Sequence, residues 1–504
     1  MPHPYTEDQL VERPAIQIFS TLGWRTMSAV EETLGDGGTL GRETTAEVVL
    51  ARHLRAALAK LNPSLSDETR TLACDALARD RSAMSPAAAN RDVYDLLKDG
   101  IQVSVPDRAR GGQKTERVKV IDWRNPAAND FLLVSQMTVT GALYTCRPDL
   151  VGFVNGFPLV VVELKKPGVP AKQAFDDNLT SYKHPQNGIP QLFWYNAVLI
   201  ASNGTESRVG SITADWERFF EWKRIEREDE PRRVSLEVML LGVCEPARLL
   251  DLVENFTLFS EEKSGLTKIV AQNHQVLGVN KAIPAMLEAR AAGHGRGGVF
   301  WHTQGAGKSL SMVFFAQKIL RTVEGNWTFV VVTDRQELDE QIAKTFKATG
   351  AVSAAESKLS HAASGAELRE LLRGNHRYVF TLIHKFQTPE TLCDRPDVIV
   401  LTDEAHRSQY DTLALNMRAA LPRALFVAFT ARRSSPAKSA RARSSATTCP
   451  CTTSSSRSRT TRRRRSSTRP DAGAAARESR AQRRHLRARR GRRPRRGPGE
   501  AARA

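Results

Sequence analysis

Two stretches of this chain hold residue types at spacings suited to phosphate chemistry. In the first, Asp149 follows Arg147-Pro148, and an apolar run then ends in Val161-Val162-Glu163-Leu164-Lys165. Residues two apart on a strand share a face, so Glu163 and Lys165 project together while Val162 and Leu164 turn into a core. Phosphodiester hydrolysis needs carboxylates to hold Mg2+ and a nearby cation to activate water or steady the phosphate. That chemistry gives the metal to Asp149 and Glu163 and the cation to Lys165. In the second stretch, a strand ending at Trp301 leads through Gly305-Ala306-Gly307 to a helix opening at Lys308-Ser309. Such a turn points backbone amides and a helix N-terminus at a polyphosphate, with Lys308 reaching the β and γ phosphates and Ser309 holding Mg2+. The strict pattern asks for Gly where this chain has His302. A buried run, Val398-Ile399-Val400-Leu401-Thr402, then delivers Asp403-Glu404-Ala405-His406. Asp403 stands where a second Mg2+-coordinating carboxylate belongs, and Glu404 beside it can orient the attacking water. Gln275, 33 residues before Lys308, could read adenine through its amide.

The elements that must place these groups are legible. Leu150–Val154 and Phe157–Val162 flank Asn155-Gly156, the pair that best tolerates positive φ at both turn positions, so they form a tight hairpin. A strict two-residue turn would set Asp149 opposite Val162, on the wrong face, and a bulge or longer connection is therefore expected. Pro148, which cannot join a ladder, is the expected place for it. At the start of the chain Thr6-Glu7-Asp8-Gln9 fits a capping box, with Pro14 able to restart the helix a turn later; Glu12 sits in that opening helix. Residues 1–233 are read as one domain and 234–280 as a connector, helical from Leu249 to Phe259. From 281 to 431, strand-like runs at Gly298–Trp301, Thr328–Thr333, Tyr378–Ile383, Val398–Thr402 and Leu425–Thr430 alternate with helical stretches. That is the pattern of a parallel sheet covered on both faces.

Composition narrows the class. The chain has 504 residues and is 41% hydrophobic, enough for ordinary cores, and no apolar run approaches the ~20 residues of a membrane span. The N-terminus has neither the basic region nor the apolar core of a signal peptide, so a cytoplasmic location is expected. The cysteines fit no zinc ribbon or redox pair. Arg432–Ala504 holds 24 Lys and Arg against 3 Asp and Glu, which leaves residues 1–431 at a net charge of −2. With Leu486 as its one large aliphatic, the segment 432–504 is expected to be disordered and to grip phosphate nonspecifically.

Taken together, residues 1–431 resemble the R subunit of type I restriction-modification systems. The resemblance rests on Ile121-Asp122-Trp123, Arg147-Pro148-Asp149, Val161–Lys165, Trp301–Ser309, Val332-Thr333-Asp334-Arg335 and Asp403–Tyr410. His302-Thr303-Gln304 before the glycines is how that family writes its phosphate loop. The resemblance implies an α/β chain: a PD-(D/E)xK nuclease domain, one RecA-like superfamily 2 motor lobe, and then a disordered basic tail. It implies a catalytic set of Asp149, Glu163, Lys165, Tyr182 and Glu12. It also implies an ATP site of Gln275, Thr303, Gln304, Gly305, Ala306, Gly307, Lys308, Ser309, Asp403, Glu404 and His406, with Mg2+ on Asp149, Glu163, Ser309 and Asp403. The implied partners are double-stranded DNA and the methyltransferase and specificity subunits. Two departures stand out. The family pairs Gln with Tyr on the helix after the nuclease strands, where this chain has Asn178 with Tyr182. After Phe429-Thr430-Ala431 the family continues with Thr-Pro and a second RecA-like lobe bearing the arginine that completes the ATPase site, whereas here the Arg/Ser/Ala-rich segment begins. Its composition is that of a GC-rich gene read out of frame, so impaired turnover is expected. The competing classes are a DNA-binding module without turnover and a stand-alone DEAH-box helicase.

Overall fold

In the computed structural model, which describes residues 6–107, 111–227, 229–301, 305–353, 356, 360–403, 411–430 and 451–452, the apolar runs of the N-terminal region assemble a six-stranded mixed sheet. Its order is Arg25–Ser28, Phe131–Ser135, Leu150–Val154, Phe157–Leu164, Val198–Ser202, Ser207–Gly210. The four central strands are buried along their whole length, which is why they read as unbroken apolar runs instead of alternating ones. The opening helix begins as a π turn over Asp8–Glu12 and continues as an α-helix over Arg13–Thr21 with Pro14 in its first turn. The Gln9 amide donates to the Thr6 hydroxyl at 3.4 Å, the forward half of the expected cap. Val11, Ala15 and Phe19 are fully buried along this helix.

The hairpin turn is the expected one. Asn155 has φ +51° and Gly156 φ +87°, a conformation that L side chains other than Asn rarely accept. Asn155 is also fully buried. Its Nδ2 donates to Val120 O and Asn129 Oδ1, both at 2.9 Å, and its Oδ1 accepts from the Asp130 amide at 2.7 Å. Asn129 in turn exchanges hydrogen bonds with the backbone of Asp122. Val154 pairs with Phe157 and Phe153 with Pro158, but then the register shifts, and Gly152 pairs with Val160, Val151 with Val161 and Leu150 with Val162. Leu159 is the extra residue. The irregularity thus falls beside Pro158 and not at Pro148. Pro158 has no N–H for the ladder, and the Leu159 carbonyl instead accepts from Ala197 N at 2.7 Å and Asn196 Nδ2 at 3.2 Å, on the other side.

The 234–280 stretch holds helices Ser235–Val243 and Pro246–Asn255 and a hairpin of Thr257–Glu262 with Gly265–Val270. The helix expected to run from Leu249 to Phe259 stops at Asn255. Thr257 and Phe259 favour an extended backbone and pair with Val270 and Lys268. Helix Asn273–Ala291 follows.

The second sheet is parallel, in the order Tyr378–Leu382, Thr328–Thr333, Val398–Asp403, Leu425–Thr430, Arg296–Trp301, Cys451–Thr452. Five of these are the strands expected from sequence, to within two residues at each end. Within the tail, Cys451–Thr452 adds a short strand to the open edge of Arg296–Trp301. Unpaired edge N–H and C=O groups favour such pairing. The rest of 431–504 lies outside the described residues. Side chains alternate across the sheet. Phe329, Val331, Ile399 and Leu401 share one continuous core with the first sheet and the 234–280 stretch, while Val330, Val332, Val398 and Val400 pack with Leu368, Leu372 and Leu421 on the other face. Among the described residues no helix is long and apolar enough to cross a membrane.

Candidate functional site

The one-residue shift at Leu159 decides the geometry of the first site. With Leu150 opposite Val162, the next residues outward are Asp149 and Glu163, so both carboxylates lie on the same face. The Asp149 amide donates to Glu163 Oε1 at 3.3 Å, and the Leu164 amide donates to Asp149 Oδ2 at 2.8 Å. Glu163 is 1% exposed, and its Oε2 has no hydrogen-bond partner among the described residues. Burial, with the Asp149 charge added, raises the Glu163 carboxyl well above the usual range, while Lys165 pulls it back down. Lys165 is half-buried, its backbone amide bonded to Ser202 O at 2.8 Å.

Three further groups converge here. Glu12 is buried at the π turn, and burial first, then the charges of Asp149, Asp8 and Glu7, push its carboxyl to about 7 against a lowering hydrogen bond from Gln136. Tyr182 is 8% exposed and has its phenol raised by burial and by Glu163. Its hydroxyl accepts from Asn178 Nδ2 at 3.1 Å, so the shorter amide still reaches its partner. Asn178 lies in a second π turn, Ala174–Leu179. Single π turns recur where side chains must be aimed at a site. Two residues in this cluster carried no signal in the sequence reading. Gln136, with φ +55°, donates from Nε2 to Glu12 Oε2 at 3.0 Å and to Asp149 Oδ1 at 3.3 Å. Glu7, which lies between the Thr6 and Gln9 of the capping box, has its carboxyl raised by burial and by Asp149.

The carboxylates fit Mg2+. Among the described residues no group of three or more His, Cys, Asp or Glu has metal-binding geometry. Mg2+, however, keeps several waters and usually takes one or two protein carboxylates. Asp149 Oδ1 and the undonated Glu163 Oε2 are the oxygens available to it, and a divalent cation offsets the repulsion that raises the Glu163 carboxyl.

The second site stands at the C-terminal edge of the parallel sheet, where such folds bind ligands. Gly305 and Gly307 have φ +82° and +75°, and Gly307 is the N-cap of helix Lys308–Thr322. A Cβ on Gly307 would stand 3.0 Å from Gln275 Nε2. Lys308 Nζ reaches Asp403 Oδ1 at 2.8 Å, with the two side chains 18% and 6% exposed. Ser309 follows in the first helical turn. Gln275 lies against the phosphate loop. It is 3% exposed, its Nε2 donates to Gly307 O at 3.1 Å and Ser311 Oγ at 3.2 Å, and its Oε1 accepts from the Gln272 amide. One end of the amide therefore caps helix Asn273–Ala291 and the other braces the loop. His274, which sequence reasoning passed over, does the same through Nε2 and Ala306 O at 3.1 Å, and burial lowers its basicity, which favours the neutral ring. Thr303, Gln304, Glu404 and His406 lie outside the described residues.

Two family models match the chain. Residues 4–218 match the family described as type I restriction enzyme R protein N terminus, and residues 274–445 match SWI2/SNF2 ATPase. The chain is 36% identical over 454 residues to the type I restriction enzyme HindI endonuclease subunit of Haemophilus influenzae, which spans 83% of this chain and 42% of that protein. This chain is a relative of the type I restriction R subunits. It is also 34% identical over 462 residues to the putative type I restriction enzyme MjaIXP endonuclease subunit of Methanocaldococcus jannaschii, covering 84% of this chain and 42% of that one. The chain thus matches under half the length of these curated R-subunit relatives. The crystal structure of the UvsW helicase from bacteriophage T4 aligns with 35% of this chain at 16% identity and a TM-score of 0.26, too loose a superposition to inform the fold.

Proposed function

We propose that this chain supplies the nuclease and first motor lobe of a type I restriction R subunit, a machine that cleaves double-stranded DNA with Mg2+ and uses ATP to move it, with turnover impaired in this chain. Residues 1–233 then form a PD-(D/E)xK endonuclease domain, 234–280 the connector and 281–431 a RecA-like ATP-binding lobe, in an assembly with methyltransferase and specificity subunits in the cytoplasm. The observation that carries this reading is the bulge at Leu159, which brings Asp149 level with Glu163 and leaves one Glu163 oxygen undonated. Asp149 and Glu163 would hold Mg2+, which supplies charge neutralisation and a more acidic bound water. Lys165 would steady the phosphate, and Glu12, held beside Asp149 through Gln136, is placed to exchange a proton with water. In the motor lobe, Lys308 would turn from Asp403 to the β and γ phosphates while Asp403 and Ser309 serve Mg2+.

Nicking of supercoiled plasmid by the purified chain tests the nuclease reading. Mg2+-dependent nicking should disappear when Asp149, Glu163 or Lys165 is changed to Ala, with the melting temperature kept. Undiminished nicking by Glu163→Ala would refute it.

A further inference from the structure

Gln136 ends the strand Phe131–Ser135, next to Asp149 in the sheet. Ser135 pairs with Leu150, and the Gln136 amide continues the ladder to Asp149 O at 2.8 Å. A row of neighbours therefore crosses three strands, from Gln136 through Asp149 to Glu163. Its φ of +55° is unusual for a side chain of this length, and such outliers persist where surrounding structure enforces them.

An amide NH2 carries two hydrogens, and Gln136 directs its Nε2 at two carboxylates on different elements: Glu12 Oε2 on the opening helix at 3.0 Å and Asp149 Oδ1 on the strand side at 3.3 Å. The second oxygen of Asp149 and the first of Glu163 are committed, Asp149 Oδ2 to Leu164 N and Glu163 Oε1 to Asp149 N, which leaves Asp149 Oδ1 and the undonated Glu163 Oε2 for a cation. Gln136 is thus the side chain that fixes the Asp149 oxygen left to face a cation, and it does so while tying Glu12 to the same place.

We propose that Gln136 is a positioning residue of the nuclease site, orienting Asp149 Oδ1 toward a divalent cation and holding Glu12 beside it. This rests on the nuclease reading above. Partners that orient a metal ligand commonly contribute about 10- to 100-fold in metal affinity.

The test is titration of the purified full chain with Mn2+, followed by its paramagnetic resonance signal without nucleotide or DNA. Gln136→Gly accepts the positive φ and keeps the backbone bond to Asp149 O while removing the amide. It should bind Mn2+ about 10- to 100-fold more weakly at a nearly unchanged melting temperature. Gln136→Asn, which tolerates the same backbone but is too short to bridge both carboxylates, should fall between it and the wild type, and carries the test if the Gly variant is unstable. Asp149→Asn should lose the site. Wild-type Mn2+ affinity in both Gln136 variants, with the site lost in Asp149→Asn, overturns the proposal alone. Equal binding by the wild type and Asp149→Asn overturns the nuclease reading beneath it.

Discussion

The proposed nuclease site and the proposed nucleotide site both place acids and a lysine at strand ends, yet they balance charge in opposite ways. At the nucleotide site Lys308 and Asp403 meet at 2.8 Å and neutralise each other. At the other site Asp149, Glu163, Glu12 and Glu7 stand close together, burial first and the Asp149 charge second raise the carboxyls of Glu163, Glu12 and Glu7, and Lys165 offsets part of that rise at Glu163 and Glu7. One site is internally paired and must exchange partners to bind its ligand, whereas the other has an excess of acid that a divalent cation relieves. The first therefore suits a ligand that brings both phosphate and metal. The second suits a bare metal ion.

That contrast is sharpest under substitution of Lys308. Lys308→Ala removes the proposed phosphate contact together with the Lys308–Asp403 ion pair, so nucleotide affinity should fall by roughly 100-fold or more. Fluorescent nucleotide titration measures this, and metal binding at Asp149 and Glu163 should be unaffected. A parallel loss at both sites would show that they are not separable. Next in size is Asn155→Ala, which strips three buried hydrogen bonds and puts Ala at positive φ. A loss of about 2–4 kcal/mol in denaturant unfolding is expected, because the nuclease site depends on this turn for its register.

Buried charge outside the two sites sharpens the comparison through pH. Lys268 is 3% exposed, donates to Asn196 O at 2.6 Å and is pulled down to about 7 by burial. A base with a lowered folded-state pKa binds fewer protons folded than unfolded, so stability should climb as pH rises from about 7 toward the ordinary lysine value and be flat below it. The climb should amount to a few kcal/mol, and Lys268→Met should flatten it in unfolding measured across that window. The smallest effect concerns Asn178. Since its amide already reaches Tyr182, Asn178→Gln should change nicking rates by less than about threefold, a shift of under ~1 kcal/mol.

What was legible from sequence follows from how local each feature is. The parallel strands could be read because runs such as Val398–Thr402 are buried on both faces, and the hairpin because Asn155-Gly156 accepts positive φ. The need for a bulge was also legible, since a tight turn puts Asp149 on the wrong face. Its location was not, because it depends on Leu159 bonding to Ala197 and Asn196, which are distant in sequence. Gln136 was invisible for the same reason: its partners come from the opening helix and from across the sheet. Gln275 shows the converse. Its distance before the phosphate loop suggested adenine contact, and only the tertiary structure reveals that its amide also joins the loop to the helix cap.

The most direct test of two separable sites is calorimetric titration of the nucleotide-free chain with Mn2+, comparing wild type, Glu163→Gln and Lys308→Ala. Glu163→Gln should lose the binding event while Lys308→Ala retains it at wild-type affinity. Mn2+ binding that survives Glu163→Gln unchanged, or that vanishes with Lys308→Ala, would contradict a metal site built on Asp149 and Glu163.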